Sequence, residues 1–206
     1  VVCEVSTVTP NAVMGRTVRS NGTILTTGLQ FDIGGNAAGN KRAPDVGGDP
    51  HPSQGYFCVV FQREINAQEG DIGYRLIDAD GTPFGAGPTY LPHVFNSPDT
   101  QPSIARSNDM DKWLVAWRRN DFTLYRGDIY GARLSWFGGL VDGPFGITAF
   151  GIANDAAPCV SSPLRGTDQT LVAFQRNNVP STNYSVWVVP VVGATGRIAP
   201  PQNVAE

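Results

Sequence analysis

The chain has 206 residues, 41% of them apolar and 16% charged, with a net charge of −3. That is enough apolar sequence for a sizeable core. With no basic stretch, it argues against a nucleic-acid protein, whose affinity comes from Lys and Arg clustered on phosphates, and no apolar run approaches the roughly 18 residues of a membrane-spanning helix.

In chain order, the first predicted element is the extended segment Val1-Val2-Cys3-Glu4-Val5, a faint form of a motif that follows three times more clearly. Cys58-Val59-Val60-Phe61-Gln62-Arg63 returns as Leu114-Val115-Ala116-Trp117-Arg118-Arg119. It returns again as Leu171-Val172-Ala173-Phe174-Gln175-Arg176, the offsets being 56 and 57 residues. Before each clear copy stands an x-Pro pair, in Ala43-Pro44-Asp45-Val46, Gln101-Pro102-Ser103-Ile104 and Ala157-Pro158-Cys159-Val160. After it stand Gly70-Asp71-Ile72, Gly127-Asp128-Ile129 and, in the last unit, Tyr184-Ser185-Val186. Self-similarity at a fixed period denotes an array of one supersecondary unit.

Each unit reads as four short strands, A to D, rich in Val, Ile and aromatics and bounded by turn residues. In the third unit they are placed near 102–107, 113–119, 128–135 and 140–150. No window carries helical periodicity, and the 24 Gly and 16 Pro fall between the strand candidates. Strand B is apolar on consecutive residues, which implies burial on both faces. An all-β fold is therefore expected, a β-propeller built of four-stranded blades repeating about every 57 residues. It forms one domain over 1–206, with blades at 1–40 (incomplete), 41–97, 98–154 and 155–206. About 15 strands, or three and three-quarter blades, can be counted, because the sequence opens inside strand B of the first unit. The expectation is part of a larger ring, completed by other sequence, another chain or a symmetry mate.

The third unit contains Gln101-Pro102-Ser103-Ile104-Ala105, Trp113-Leu114-Val115-Ala116-Trp117 and Asp128-Ile129-Tyr130-Gly131-Ala132-Arg133-Leu134. In this it resembles a group of bacterial secreted propeller-like repeat proteins, whose known members are mainly uncharacterised. The resemblance spans nearly the whole chain and implies a propeller and an extracellular or cell-surface location, but no activity. The last unit departs from it, with Tyr184-Ser185-Val186-Trp187 where Asp-Ile-Tyr-Gly would stand.

Three cysteines are an odd count. Cys3 and Cys58 fall in B strands of neighbouring units and Cys159 in an A strand. Sheets packed about 10 Å apart exceed the reach of a disulfide, so all three are expected free, buried and apolar in role.

Strands alternate in direction, so the B–C and D–A connections emerge on one face and the A–B and C–D turns on the other. The B–C loops (64–70, 120–127, 177–183) are longer and more varied, which favours that face for contacts. There each motif ends in Arg63, Arg119 or Arg176, with Arg118 beside the second. These could form a rim for carboxylate or sulfate groups through the bidentate fork of Arg. Alternatively Arg63 pairs with Asp71 and Arg119 with Asp128, which leaves Arg176 without that partner, because Tyr184 occupies the Asp position. Phe122 and Tyr125, in the longest B–C loop, and Tyr184 offer aromatic faces to a sugar or protein partner. Phe61, Trp117 and Phe174 recur in phase and belong to the core, as does Trp187, which aligns with Tyr130.

Catalytic signatures are sparse. His51 and His93 are the only histidines and are assigned to opposite faces; no Gly-x-Ser-x-Gly or His-Glu-x-x-His pattern organises them. Asp78-x-Asp80-Gly81 and Asn108-Asp109-x-Asp111 fall short of a calcium loop and suit hairpins. Asp45 is the only acid among the placed A-strand starts, a poor supply for a glycosidase's paired carboxylates. The expectation is a non-enzymatic extracellular binding or assembly module, without catalytic residues, metal or cofactor. Its partner would be another protein or a further copy completing the ring, with no nucleic acid and no membrane span. A lectin-like carbohydrate-binding propeller is the alternative, and a propeller glycosidase with its acids outside this chain is a second.

Overall fold

The written repeats become hydrogen-bonded sheets with the strands in chain order. The computed structural model describes all residues except 7–9, 25–30, 36–37, 50–54, 95–96, 107–110, 122–125, 149–152, 179–182, 193–195, 198–199 and 206. The second sheet is β4 (Asn40–Gly48), β5 (Tyr56–Asn66), β6 (Glu69–Asp78) and β7 (Thr89–Tyr90), each antiparallel to the next. The third is β8 (Asp99–Ile104), β9 (Lys112–Asp121), β10 (Arg126–Ser135) and β11 (Leu140–Gly146). In the fourth, β12 (Ala153–Val160), β13 (Gln169–Asn178) and β14 (Tyr184–Val192) are followed by β15 (Gly196–Arg197) and β16 (Gln202–Ala205), which both pair with β14. The first sheet holds β1 (Val2–Val5), β2 (Ala12–Gly15) and β3 (Phe31–Asp32), the B, C and D positions of the repeat.

Some boundaries differ from expectation. The third A strand begins at Asp99, three residues before its predicted start, and the fourth at Ala153. The predicted loop 64–70 is mostly ladder, because Glu64 pairs with Gly70 and the turn shrinks to residues 67–68. Each A strand also carries a bulge that the x-Pro pair announces. Ala43, Gln101 and Ala157 have φ of 47°, 53° and 50°, and the A–B register slips at each of the three. A non-Gly residue in this left-handed region costs about 1–2 kcal/mol. Neighbouring sheets offset part of it: Gln62 Oε1 accepts the Gln101 N–H at 3.3 Å, and Gln101 Oε1 accepts that of Ala157 at 2.9 Å.

The sheets stack face to face. Val13 and Ile33 of the first pack on Val59, Phe61 and Ile77 of the second. Cys58, Val60, Ile72 and Tyr74 meet Trp113, Val115 and Trp117 of the third. Leu114, Ala116 and Ile129 meet Val172, Phe174 and Val189 of the fourth. This explains the consecutive apolar residues of β5 and β9, whose odd and even positions face different neighbours. Each large side chain so buried contributes about 1.5–3 kcal/mol.

The fourth sheet breaks the expectation of two buried faces. Leu171 and Val186 are 43% and 41% exposed, whereas their counterparts Leu114 and Ile129 are 4% and 0% exposed. Nor are all the cysteines buried. All three are free, but only Cys58 is enclosed, because Cys3 and Cys159 lie on strand faces that no described sheet covers. Among the described residues no helix is long and apolar enough to cross a membrane.

Candidate functional site

Where A strands begin, B strands end and C strands begin, one end of the stack collects its ionisable side chains. The register aligns three residues across each sheet there: Lys41, Arg63 and Asp71 in the second; Asp99, Arg119 and Asp128 in the third; Asp155, Arg176 and Ser185 in the fourth. Residues directly opposite one another share a face, so each central Arg chooses between its flanking partners.

In the third sheet the Arg119 fork closes on Asp99, with Nε to Oδ1 at 2.7 Å and Nη2 to Oδ2 at 2.8 Å. In the fourth, Arg176 closes on Asp155 with both bonds at 2.7 Å. Both aspartates are fully buried. In the second sheet Lys41 stands at the A position and bonds Gly35 O at 2.9 Å, so Arg63 turns to Asp71. His93 Nδ1 lies 3.3 Å from the same carboxylate. Each guanidinium also covers an aromatic ring: Arg63 that of Tyr90 at 3.9 Å, Arg119 that of Tyr130 at 4.4 Å and Arg176 that of Trp187 at 4.7 Å. Burial pushes the Asp99 carboxyl above its ordinary value, and the Arg119 fork pulls against that rise.

This arrangement corrects two pairings. Arg119 takes Asp99 rather than Asp128, and Arg176, without an Asp in the C strand, takes Asp155 of the A strand. The bidentate forks occupy Arg119 and Arg176, so the motif arginines are closed on carboxylates rather than presented as an open anion-binding rim.

Asp128 is the carboxyl left over. It is 6% exposed, and its Oδ1 is buried without a hydrogen-bond partner among the described residues. Desolvation raises its pKa to about 6; the charge of Arg126 opposes the rise and that of Asp155 adds to it. A carboxylic acid that is half protonated near pH 6 can donate a proton to a bound oxygen, which the ion-paired Asp99 and Asp155 are not arranged to do. Beside it, Asn154 Oδ1 accepts from Arg118 Nη2 at 2.9 Å and from the Gly127 N–H at 2.8 Å. A Cβ on Gly127 would meet Arg118 Nε at 2.1 Å, so the glycine is what admits the arginine.

The structure thus gathers Arg63, Arg118, Arg119 and Arg176 at one end, with Tyr184 58% exposed at the start of β14 and electrostatically within reach of Arg118. Phe122, Tyr125 and His51 lie outside the described residues. Phe61, Trp117 and Phe174 are core, while Trp187 is half-buried, its Nε1 bonded to Ser185 Oγ at 2.8 Å. Asp78 and Asp80 both accept the Thr82 N–H at 2.9 Å, the hairpin role expected of them. Sequence reasoning missed Asp99, Asp155 and the acidity of Asp128. A signal for the first two was present: Asp99-Thr100-Gln101-Pro102 and Asp155-Ala156-Ala157-Pro158 repeat an Asp three residues before the Pro. Among the described residues no three His, Cys, Asp or Glu side chains gather as a metal site would.

No known family model matches the sequence, and no curated protein matches it. Solved structures do match in fold. An endo-arabinase from Bacteroides thetaiotaomicron VPI-5482 is similar with a TM-score of 0.55 at 16% identity, over 91% of this chain and 68% of that one. An exo-1,5-alpha-L-arabinanase from a bovine ruminal metagenomic library is similar with a TM-score of 0.51 at 11% identity, over 98% and 77%. The fold is propeller-like. The expectation of a non-enzymatic binding or assembly module is thereby corrected: the architecture it rested on is that of enzymes named for cleaving arabinan.

Proposed function

We propose that this chain is a glycoside hydrolase module of the propeller type, acting on an arabinose-containing polysaccharide, with its chemistry at the end where Asp128 lies. In this reading the four sheets are blades of an extracellular propeller repeating about every 57 residues, in a ring larger than these sheets alone. The observation that carries the activity is the buried carboxyl of Asp128, its Oδ1 without a hydrogen-bond partner among the described residues and its pKa raised to about 6, in a fold similar to two arabinan-degrading enzymes. Glycoside cleavage uses one carboxyl kept protonated and a second kept as carboxylate. Asp128 supplies the acid, and Asp155, held by Arg176 and close enough to act electrostatically on Asp128, supplies the second.

The test is release of reducing ends from linear arabinan between pH 4.5 and 8. Turnover is expected to fall as pH rises through about 6, where Asp128 loses its proton. Asp128→Asn should lower the rate by about 10²-fold or more. No turnover of arabinan or of any glycoside in a broad panel would refute the hydrolase. A second reading, carbohydrate binding without cleavage, is favoured by the forks that engage both Asp99 and Asp155. It is distinguished by arabinan retention without product.

A further inference from the structure

The end of the stack opposite Asp128 carries two large rings that core packing leaves over. From Asp128, β10 runs on to Ser135 before turning, roughly 20 Å at about 3.3 Å per residue. Just past that strand Phe137 is 60% exposed, and in the second sheet Phe84, past the end of β6, is 56% exposed. Neither ring is loose. Phe84 packs T-shaped on Tyr56 with centroids 5.6 Å apart, Phe137 packs T-shaped on Trp136 at 5.5 Å, and Tyr56 stacks on Trp136 at 6.2 Å. Phe84 and Phe137 both line a cavity of about 290 Å³, which Arg75, Gly85, Gly87 and Gly138 help to form.

A departure of the second sheet from the third makes this space. In the third, β11 follows β10 so closely that a Cβ on Gly143 would come within 2.8 Å of the Ala132 methyl. Arg75 is the counterpart of Ala132, the two standing opposite Val59 and Val115 of their B strands. After the Phe84 N–H bonds Leu76 O at 2.8 Å, the chain leaves β6 and rejoins it at Thr89, opposite Tyr74. A Cβ on Gly85 or Gly87 would meet nothing within 4 Å. The Arg75 guanidinium is fixed in the gap, Nη1 donating to Asp32 O at 3.1 Å and Nη2 to Gly85 O at 2.9 Å. Among the described residues no carboxylate forms an ion pair with it. Tyr74 Oη donates to Gly138 O at 2.9 Å and ties the third sheet's turn to the second sheet. Both sheets have a packed neighbour on each face, so the space forms wholly within the array.

We propose that this cavity is a second carbohydrate site, taking one sugar unit of a polysaccharide against Phe84 and Phe137, apart from the end where Asp128 lies. A sugar ring has an apolar C–H face and a rim of hydroxyl groups. Aromatic faces beside a few fixed polar groups complement both. Here the phenyl rings meet the C–H face, while the Arg75 N–H groups and the Gly85–Gly87 backbone serve the hydroxyls. The volume is near the lower bound of small-molecule sites, about 300 Å³, which suits one unit with its chain continuing into solvent. The site stands without the hydrolase reading, which supplies only the first probe.

The experiment is electrophoresis of the whole chain through native gels containing linear arabinan, in the Asp128→Asn background so that the polymer is not consumed. Retardation is expected, and Phe84→Ser and Phe137→Ser should each weaken the apparent affinity at least fivefold. Both side chains are already exposed, and unchanged urea midpoints check that the variants fold. With Asp128 restored, both variants should cleave a short arabino-oligosaccharide within twofold of the parent rate. Loss of retardation in both variants without any turnover would refute the hydrolase and uphold this site. Full retardation in both would overturn the site, whatever the turnover. Xylan, a β-glucan and polygalacturonate are the further probes; retardation by one of them that the variants lose upholds the site equally, and retardation by none of the four polymers overturns it. A dimer in polymer-free gels that Phe137→Ser abolishes would also overturn it, since the rings would then belong to a second copy.

Discussion

The third and fourth sheets are built on one pattern and differ at two places. Both close a buried Arg fork on an A-strand aspartate, Asp99 with Arg119 and Asp155 with Arg176. Across the fork the third sheet adds Asp128, where the fourth has Ser185. On the next face the third sheet buries Leu114, where the fourth leaves Leu171 43% exposed. The second sheet completes the comparison, because Lys41 replaces the A-strand acid there and Arg63 takes Asp71 instead. One Arg neutralises one Asp in every case, which marks the fork as part of the scaffold. Among these three sheets only the third carries both repeated acids beside one Arg, so the acid that its fork leaves over is where chemistry is to be sought.

The comparison breaks most severely if the fork is not structural. Asp155→Ala would leave the Arg176 guanidinium, 13% exposed, without its counter-charge, since Ser185 stands on its other side. Removing one partner of a buried pair costs about 3–5 kcal/mol. Denaturant unfolding should show that loss, and a smaller one for Asp99→Ala, where Asp128 stands on the other side of Arg119. A cost below about 1 kcal/mol for both would mean that the forks are not what holds this end together. The second difference is tested by its own pair of residues. Leu114→Ala should cost about 2–5 kcal/mol as a core truncation. Leu171→Ala, at the equivalent position, should cost about 1 kcal/mol or less, since its side chain already meets water. Equal costs would mean that the open face of the fourth sheet is covered in solution.

What the sequence made legible follows from the same contrast. Runs such as Leu114-Val115-Ala116-Trp117 announced strands buried on both faces, because such patterning is enforced by packing. The strand order came with the repeat. The pairing of the arginines was not legible, since Arg119 has an Asp on either side in the register and the choice depends on burial, not on spacing. The extra length of β8, which brings Asp99 into the sheet, lies before the Gln101-Pro102 bulge, and a bulge shifts register without leaving an apolar signature. Asp128 was visible as part of a repeated Gly-Asp. That it stands outside the fork appears only once Arg119 is seen to turn the other way.

The smallest effect separates that surplus acid from the scaffold by its pH dependence. The folded-state pKa of Asp128 is raised from an ordinary 3.8 to about 6, so the native chain holds its proton more tightly than the unfolded chain does. Below about pH 4 both states are protonated and the group contributes nothing. As pH rises from about 4 to 6 the unfolded state ionises first, and native stability declines by 1.36 kcal/mol per unit. Above about 6 the loss is complete and constant, on the order of 2–3 kcal/mol. Asp128→Asn should therefore be more stable than the parent chain at pH 7.5, and the gain should shrink towards zero at pH 4.5. Urea midpoints of the two proteins at both pH values measure this, and taking their difference cancels the other titrating groups. If the parent gains on the variant as pH rises, Asp128 is paired in solution and its role as acid is lost. If the variant is more stable yet inactive on arabinan, the carboxyl is retained at a cost to the fold, as a group kept for function would be.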